Sequence, residues 1–229
     1  MGITHDLRHR LRNLRRALAA LAAGVALIAA AGLAGAQGVP GPAGAAAQAV
    51  AVSDATAARA LAEARRFAEV TYRYGGQTLT GVAYRWGGRL SVDEYLAAVE
   101  AGRAPGAEVG VDASGLVVEA YLAADPAHRF AVEWSGGRLA ADATSADLFR
   151  WNIVPVATDE MRPGDLLFFQ DERGNVTGVA IFERREGPNV HFVVASAAQG
   201  KVIRTFLNVN NTYWQTRVKG AGRLLAFSR

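Results

Sequence analysis

At Pro163 the sequence changes its period, and that change limits the fold more than any other feature. Beyond it, apolar and β-branched residues gather into short runs: Asp165–Phe169, Val176–Phe182, Val190–Ser196, Val202–Phe206 and Arg223–Phe227. Turn residues such as Arg173-Gly174-Asn175 and Gln199-Gly200 separate them, which is the pattern of a strand meander. Before Pro163 the spacing is helical. Leu61, Ala64, Ala68 and Tyr72 recur at three and four residues, predicting a helix over 55–74 that Gly75-Gly76 stops. Ser91-Val92-Asp93-Glu94 is a capping box, so a second helix should run to about Ala101. A third is predicted from Asp112-Ala113-Ser114 through Tyr121, and a short one over Ser145–Arg150. Helices first and strands later imply an α+β domain, with N-terminal helices packed on an antiparallel sheet of about five strands. No internal repeat is visible, and residues 55–229 read as one folded domain.

The N-terminus has a different character. Five arginines (Arg8, Arg10, Arg12, Arg15, Arg16) precede an apolar stretch from Ala17 to Ala36 that ends in Ala34-Gly35-Ala36. That is the layout of a signal peptide over residues 1–36, cleaved before Gln37. The 20 apolar residues could also span a bilayer as an uncleaved anchor; the small-x-small ending favours cleavage. Residues 37–54, rich in Gly, Ala and Pro, read as a flexible linker. Charge follows the same division. The chain holds 25 basic and 21 acidic residues, and removing residues 1–36 leaves 20 of each sign. A neutral mature domain speaks against nucleic acid as a partner, and a membrane would be met only through the signal sequence before its removal. The chain has no cysteine, which excludes disulfides, a lipidated cysteine and thiolate metal sites. No cofactor motif is present. His128, with Asp125 as its one nearby carboxylate, is not a metal site.

Three blocks carry the functional information. They are Tyr84-Arg85-Trp86-Gly87-Gly88, then Gly110-Val111-Asp112-Ala113-Ser114-Gly115, then Met161-Arg162-Pro163-Gly164-Asp165-Leu166. In order and spacing they resemble the NlpC/P60 family of cell-wall cysteine peptidases, with Tyr-x-Trp-Gly-Gly, Asp-Cys-Ser-Gly and Pro-Gly-Asp-Leu. Thr144-Ser145-Ala146 is similar to a further segment of that family. The resemblance implies a papain-like fold in which a helix N-terminus presents the nucleophile. In this chain the nucleophile's slot holds Ala113. The base's slot, which opens Gly178-Val179-Ala180-Ile181-Phe182, holds Gly178, and the orienting residue's slot before Ala195-Ser196 holds Val194. None of the three has the functional group the triad needs. Tyr84, Trp86, Asp112 and Ser114 match residues lining the family's site and are candidates for binding.

Substitutes for the missing groups are weak. His191 lies three positions from Val194 on a predicted strand, so the two should face opposite ways. Ser114 without a base is inert at neutral pH, and it suits capping the helix beside Asp112. Two segments exceed the family pattern, near 89–108 and 125–141. The first should form an ordered helix over or beside Ala113, with Leu96 and Val99 as its apolar stripe; Tyr95, Phe130 and Trp134, if exposed, would suit a binding surface. The expected function is that of a secreted or periplasmic pseudoenzyme binding an envelope protein or a peptidoglycan stem peptide without cleaving it. The alternatives are a hydrolase or acyltransferase with a non-standard constellation and a purely structural envelope subunit.

Overall fold

The computed structural model describes residues 49–132 and 139–227. The expected signal peptide, most of the expected linker and Trp134 lie outside the described residues.

Helix α1, Asp54–Glu69, is capped by Ser53, whose side chain accepts from Thr56 N. Its inner face is Ala57, Ala60, Leu61, Ala64 and Phe67, and the alanines allow close approach to a neighbouring helix. It ends earlier than the helical spacing suggests. Thr71–Tyr74 instead forms strand β2, paired with β3, Gln77–Thr80. Gly75 and Gly76 have φ of 55° and 80° and make the two-residue turn that matches the twist of the strands. Tyr72 lies four residues beyond Ala68 by coincidence; the β-branched and aromatic run Val70-Thr71-Tyr72 before Gly-Gly is a hairpin signal.

Helix α2, Val92–Glu100, carries the expected capping box: Ser91 Oγ accepts from Glu94 N, and Glu94 Oε2 accepts from Ser91 N at 2.9 Å. Its buried stripe is Val92, Tyr95 and Val99, with Leu96 only half-buried. Tyr95 is therefore not on a binding surface. Its hydroxyl donates to Tyr72 Oη at 2.7 Å and accepts from Ala83 N at 3.2 Å, while the two tyrosine rings meet edge to face at 5.3 Å. Burial pushes the Tyr95 phenol pKa up. The insertion is thus sewn onto the β2–β3 hairpin.

Helix α3, Ala113–Ala124, is buried nearly all round, from Ser114 to Val118 and again at Ala120 and Tyr121, because it lies between α1 and the sheet. Strands β4, Phe130–Ala131, and β5, Leu139–Ala140, form a small ribbon in the second insertion. Phe130 is fully buried, edge-on to His128 at 4.7 Å, so it too is removed from any binding surface. Asn152 holds the ribbon: Ala131 N donates to Oδ1 at 2.8 Å and Nδ2 donates to Ala131 O at 2.6 Å. Helix α4, Ser145–Trp151, has its own capping box from Thr144 and Asp147.

The remaining strands are β1, Ala49–Ala51; β6, Ile153–Val156; β7, Leu166–Gln170; β8, Val176–Glu186; β9, Asn189–Ser196; β10, Lys201–Asn208; and β11, Val218–Phe227. The order is β1-β11-β7-β8-β9-β10, antiparallel throughout, with β6 also on β11. The five expected runs are the contiguous β11-β7-β8-β9-β10. Strands β6 and β1 add to the outer edge of β11, along Ala221–Leu224 and Leu225–Phe227 in turn. Ala49–Ala51 fall inside the expected linker and are sheet, and Asp54, its last residue, opens α1. Both faces of the sheet are covered. Leu166, Phe168, Val179, Ile181, Val193 and Ala195 join the core shared with α1 and α3. Leu167, Ala180, Phe182, Phe192 and Leu207 form a second cluster, covered in part by Trp214 of helix α5, Thr212–Arg217. Two buried faces explain why these strands read as continuous apolar runs.

The Pro163-Gly164-Asp165 block serves this architecture. Asp165 accepts from both Arg223 Nε and Nη2 at 3.0 Å and from Arg162 N at 2.8 Å. Tyr121 Oη donates to Gly164 O at 2.7 Å. Gly164 (φ 96°) packs so closely on Ala57 that a Cβ would overlap its backbone. One turn thereby fixes β7 against α1 and α3.

Candidate functional site

Two glycines let the 84–90 loop lie on the start of α3. A Cβ at Gly88 would overlap Gly110 O, and one at Gly115 would overlap Gly88 O. Main-chain bonds align the segments: Arg85 N donates to Val111 O and Val111 N to Ala83 O, each at 3.0 Å. Asp112 is the N-cap. Its Oδ1 accepts from Gly115 N (2.7 Å), Ser114 Oγ (2.9 Å) and Arg89 Nη1 (2.7 Å), and its Oδ2 from Gly87 N (2.9 Å). Ser114, buried, braces the cap rather than supplying it.

Arg89 is the residue the sequence reading missed. Its guanidinium donates to Asp112, to Ser114 Oγ (2.9 Å), to Gly88 O (2.9 Å) and, through Nε, to Asp142 Oδ1 (2.6 Å). Burial opposes its charge, but Asp142 and Asp112 outweigh that and hold its pKa above the ordinary value. Arginine suits this place because its planar fork can serve several acceptors at once. The one local signal was an arginine directly after the tightly packed Gly87-Gly88; Asp142 lies too far along the chain to be associated with it.

Ala113 opens α3 with a half-buried methyl group packed on the first core. Tyr84, half-buried and bridged through its backbone to Val111, has its phenol pKa raised by burial and then by the Asp112 charge, so it stays protonated. Trp86 is 82% exposed. Next to this loop is a depression of about 350 Å³ lined by Arg85, Arg89, Leu90, Ala98, Arg103 and Glu108. Ala113 is not among its lining residues.

The slots at 178 and 194 share one face of the sheet. On β9, Val193 and Ala195 pack with the helices, while Val194 packs with the second cluster. A Cβ at Gly178 would touch Phe169 at 3.7 Å, and Phe169 also belongs to that second cluster. Val194, and any Cβ at position 178, therefore face the side of the sheet away from α3, as strand alternation requires.

The described histidines stand elsewhere. His191 pairs with Arg184 near the β8–β9 turn, about 17 Å along the strand from Ser196, whereas the start of α3 lies at the other end, where Tyr84 N meets Gly200 O. Its Nε2 is 3.0 Å from Glu186 Oε2 but off the line of a hydrogen bond. His128 is buried against Tyr121 and Phe130, and Tyr121 lies about 12 Å along α3 from Ala113. Its Nε2 has no partner among the described residues, and burial lowers its pKa.

Comparison with known proteins adds one decisive fact: the NlpC/P60 family model matches residues 69–223. The chain belongs to the NlpC/P60 family. The match spans the hairpin, both insertions, strands β7 to β10 and the first part of β11. Solved structures similar to this NlpC/P60 chain include an NlpC/P60 family protein from Bacillus cereus, 22% identical over 50% of this chain and 32% of that one, with a TM-score of 0.35. NlpC1 from Trichomonas vaginalis is 15% identical over 76% and 46%, TM-score 0.41. Ly7917, solved with the hydrolysing product of MDP, is 12% identical over 49% and 53%, TM-score 0.39. This chain therefore spans between a third and about half of the length of those structures. No curated protein matches it. Among the described residues, no helix is long and apolar enough to cross a membrane.

Proposed function

We propose that this chain is a non-hydrolytic NlpC/P60 member that acts in the cell envelope by binding, with an envelope protein favoured over a peptidoglycan stem peptide as the ligand. The start of α3 carries this reading. Covalent peptide hydrolysis needs an activated nucleophile, and position 113 has a methyl group. The neighbouring Ser114 hydroxyl is held between Asp112 and Arg89, and that carboxylate is already shared with Arg89 and two backbone N–H groups. Of the described imidazoles, His191 sits near the β8–β9 turn and His128 in the loop that follows the C-terminal end of α3. A protein partner is favoured because Arg89 covers the polar groups beside Ala113, and the depression next to them is built by the chain's own 89–108 insertion. Export is supported by the arginine-rich, apolar N-terminus ending in Ala34-Gly35-Ala36.

The test is incubation of the purified protein with peptidoglycan and with D-glutamyl peptides. No product above a blank is expected. Turnover that disappears in Ser114→Ala or Asp112→Ala would overturn the reading in favour of a non-standard hydrolase. Ala113→Cys should add a thiol but little hydrolysis, since no described imidazole is placed to lower its pKa or shuttle a proton. N-terminal sequencing of protein recovered from cells should begin at Gln37; Met1 or Gly2 on a membrane-bound form would instead mean a signal anchor.

A further inference from the structure

The depression between the 84–90 loop and the second half of the first insertion draws Arg85, Gly87, Gly88 and Gly110 from the family's sequence blocks and the rest of its lining from residues 89–109. Its charged lining is three arginines and one glutamate: Arg85, Arg89, Arg103 and Glu108. These cations are not equivalent. Arg89 spends its charge on Asp112 and Asp142. Arg103 has an exposed pair with Glu108, 3.3 Å long with both side chains about half exposed, and such a pair is weak and exchangeable. Glu108 is itself turned back to Ala104 N at 2.7 Å, a bond that lowers its pKa and that it keeps without Arg103. Arg85 is anchored through Nε to Ala107 O at 3.3 Å and has no carboxylate partner among the described residues. Its anchoring leaves the terminal amino groups for another acceptor, and a carboxylate is the acceptor their geometry fits best. Between two lining residues, Arg85 and Gly87, Trp86 stands 82% exposed. An aromatic ring that exposed, next in sequence to an arginine without a carboxylate partner among the described residues, is the composition of an interface anchor.

Resting on the binding role above, we infer that this depression docks an acidic segment of the partner protein. Carboxylates of the segment pair with Arg85 and, by displacing Glu108, with Arg103, while an apolar side chain between them covers the Trp86 indole. The electrostatics set the occupant: the lining gathers cations on a domain of no net charge, so an acidic partner is attracted and a basic one is refused. The insertion provides this surface rigidly, because Tyr95 and the capping box fix α2, and Gly106 N to Val109 O and Glu108 N to Ala104 O fix the loop behind it.

The test uses the full chain and a fluorescein-labelled ten-residue peptide with four glutamates around a central phenylalanine, read by fluorescence anisotropy. Its counterpart carries glutamines in place of the glutamates. The acidic peptide is expected to bind at least about tenfold more tightly, and Arg85→Gln and Trp86→Ala should each weaken it by about tenfold, with unchanged melting temperatures. Binding should also fall as salt rises. Equal affinity for the two peptides, no binding of either, or native affinity in both variants would overturn the inference. Displacement of the acidic peptide by an L-alanyl-γ-D-glutamyl-diaminopimelate stem peptide, lost in Arg85→Gln, would assign the surface to cell-wall peptide and overturn the protein assignment. Failure here without peptidoglycan hydrolysis leaves the non-hydrolytic role standing; hydrolysis would remove that role whatever the peptides do.

Discussion

Replacing Arg89 by alanine would leave the Asp112 carboxylate, 14% exposed, without its cation, and would deprive Ser114 and Asp142 of a donor. Breaking a fully buried pair from one side costs about 3–5 kcal/mol; water reaches this one, so about 2 kcal/mol is expected for Arg89→Ala. Arg89→Lys should recover only part of it, since one ammonium cannot serve Asp112, Asp142, Ser114 and Gly88 O together. Urea denaturation of the two variants checks both statements, and full recovery by lysine would show the contact to be a simple charge pair. His128 gives a second expectation at this scale. Burial lowers its pKa below 6.5, with Asp125 opposing and Arg129 assisting. As pH falls below 6.5, the unfolded chain gains a proton that the folded one resists, so stability declines until the folded pKa is passed. His128→Met keeps an apolar filler between Tyr121 and Phe130. The drop in melting temperature between pH 7.5 and 5 should be smaller in that variant than in the native chain; an identical drop would place the acid sensitivity elsewhere.

Among the elements, α2 depends on Tyr95 for its seat. Tyr95→Phe removes the hydroxyl that joins Tyr72 to Ala83 N and strands a buried N–H, which should cost about 1–3 kcal/mol. Deleting residues 90–107 with a glycine bridge should cost more, since Val92, Tyr95 and Val99 all leave the core; unchanged thermal melting in that deletion would make the insertion a passive loop. How far these elements could be read in advance depended on the kind of signal. Runs such as Leu166-Leu167-Phe168-Phe169 mark strands because both faces are buried, and Ser91 with Glu94 marks a helix start through local hydrogen bonding. The β2–β3 hairpin was hidden because Tyr72 falls at a helical interval from Ala68. The site was legible as far as backbone packing goes, at Gly87, Gly88, Asp112 and Gly115. It was not legible where side-chain direction matters: Val193 and Val194 differ by one position and face opposite sides of the sheet. Exposure of aromatic residues in the insertions could not be read from type alone, and Tyr95 and Phe130 proved to be core.

For the molecule as a whole, one buried carboxylate joins the helical layer to the sheet. Glu183 on β8 accepts from Arg65 of α1 at 2.8 Å and from Arg204 of β10 at 2.5 Å, with Arg184 at 3.4 Å; Arg204 reaches on to Glu69. Burial opposes its charge, but Arg204 and Arg65 prevail and hold its pKa below the ordinary range. Its contribution is therefore present above pH 4.5 and lost as pH falls through its lower folded value. Glu183→Ala would leave three arginines facing each other, and a loss of about 3 kcal/mol or more at neutral pH is expected by urea denaturation. A change under about 0.5 kcal/mol would mean that the arginines find water instead.

Strand β1 has a mechanical consequence. Ala49 pairs with Phe227 and Ala51 with Leu225, so the chain enters the sheet at the corner where β11 ends. Tension applied through the preceding residues would load that antiparallel ladder one rung at a time, in peeling rather than in shear. All three residues of β1 are exposed, whereas Val52, the next residue, is buried and bonded to Leu224 O at 2.9 Å. A pull from the N-terminal side that strips β1 would thus release about 10 Å of slack before it loads the buried Val52.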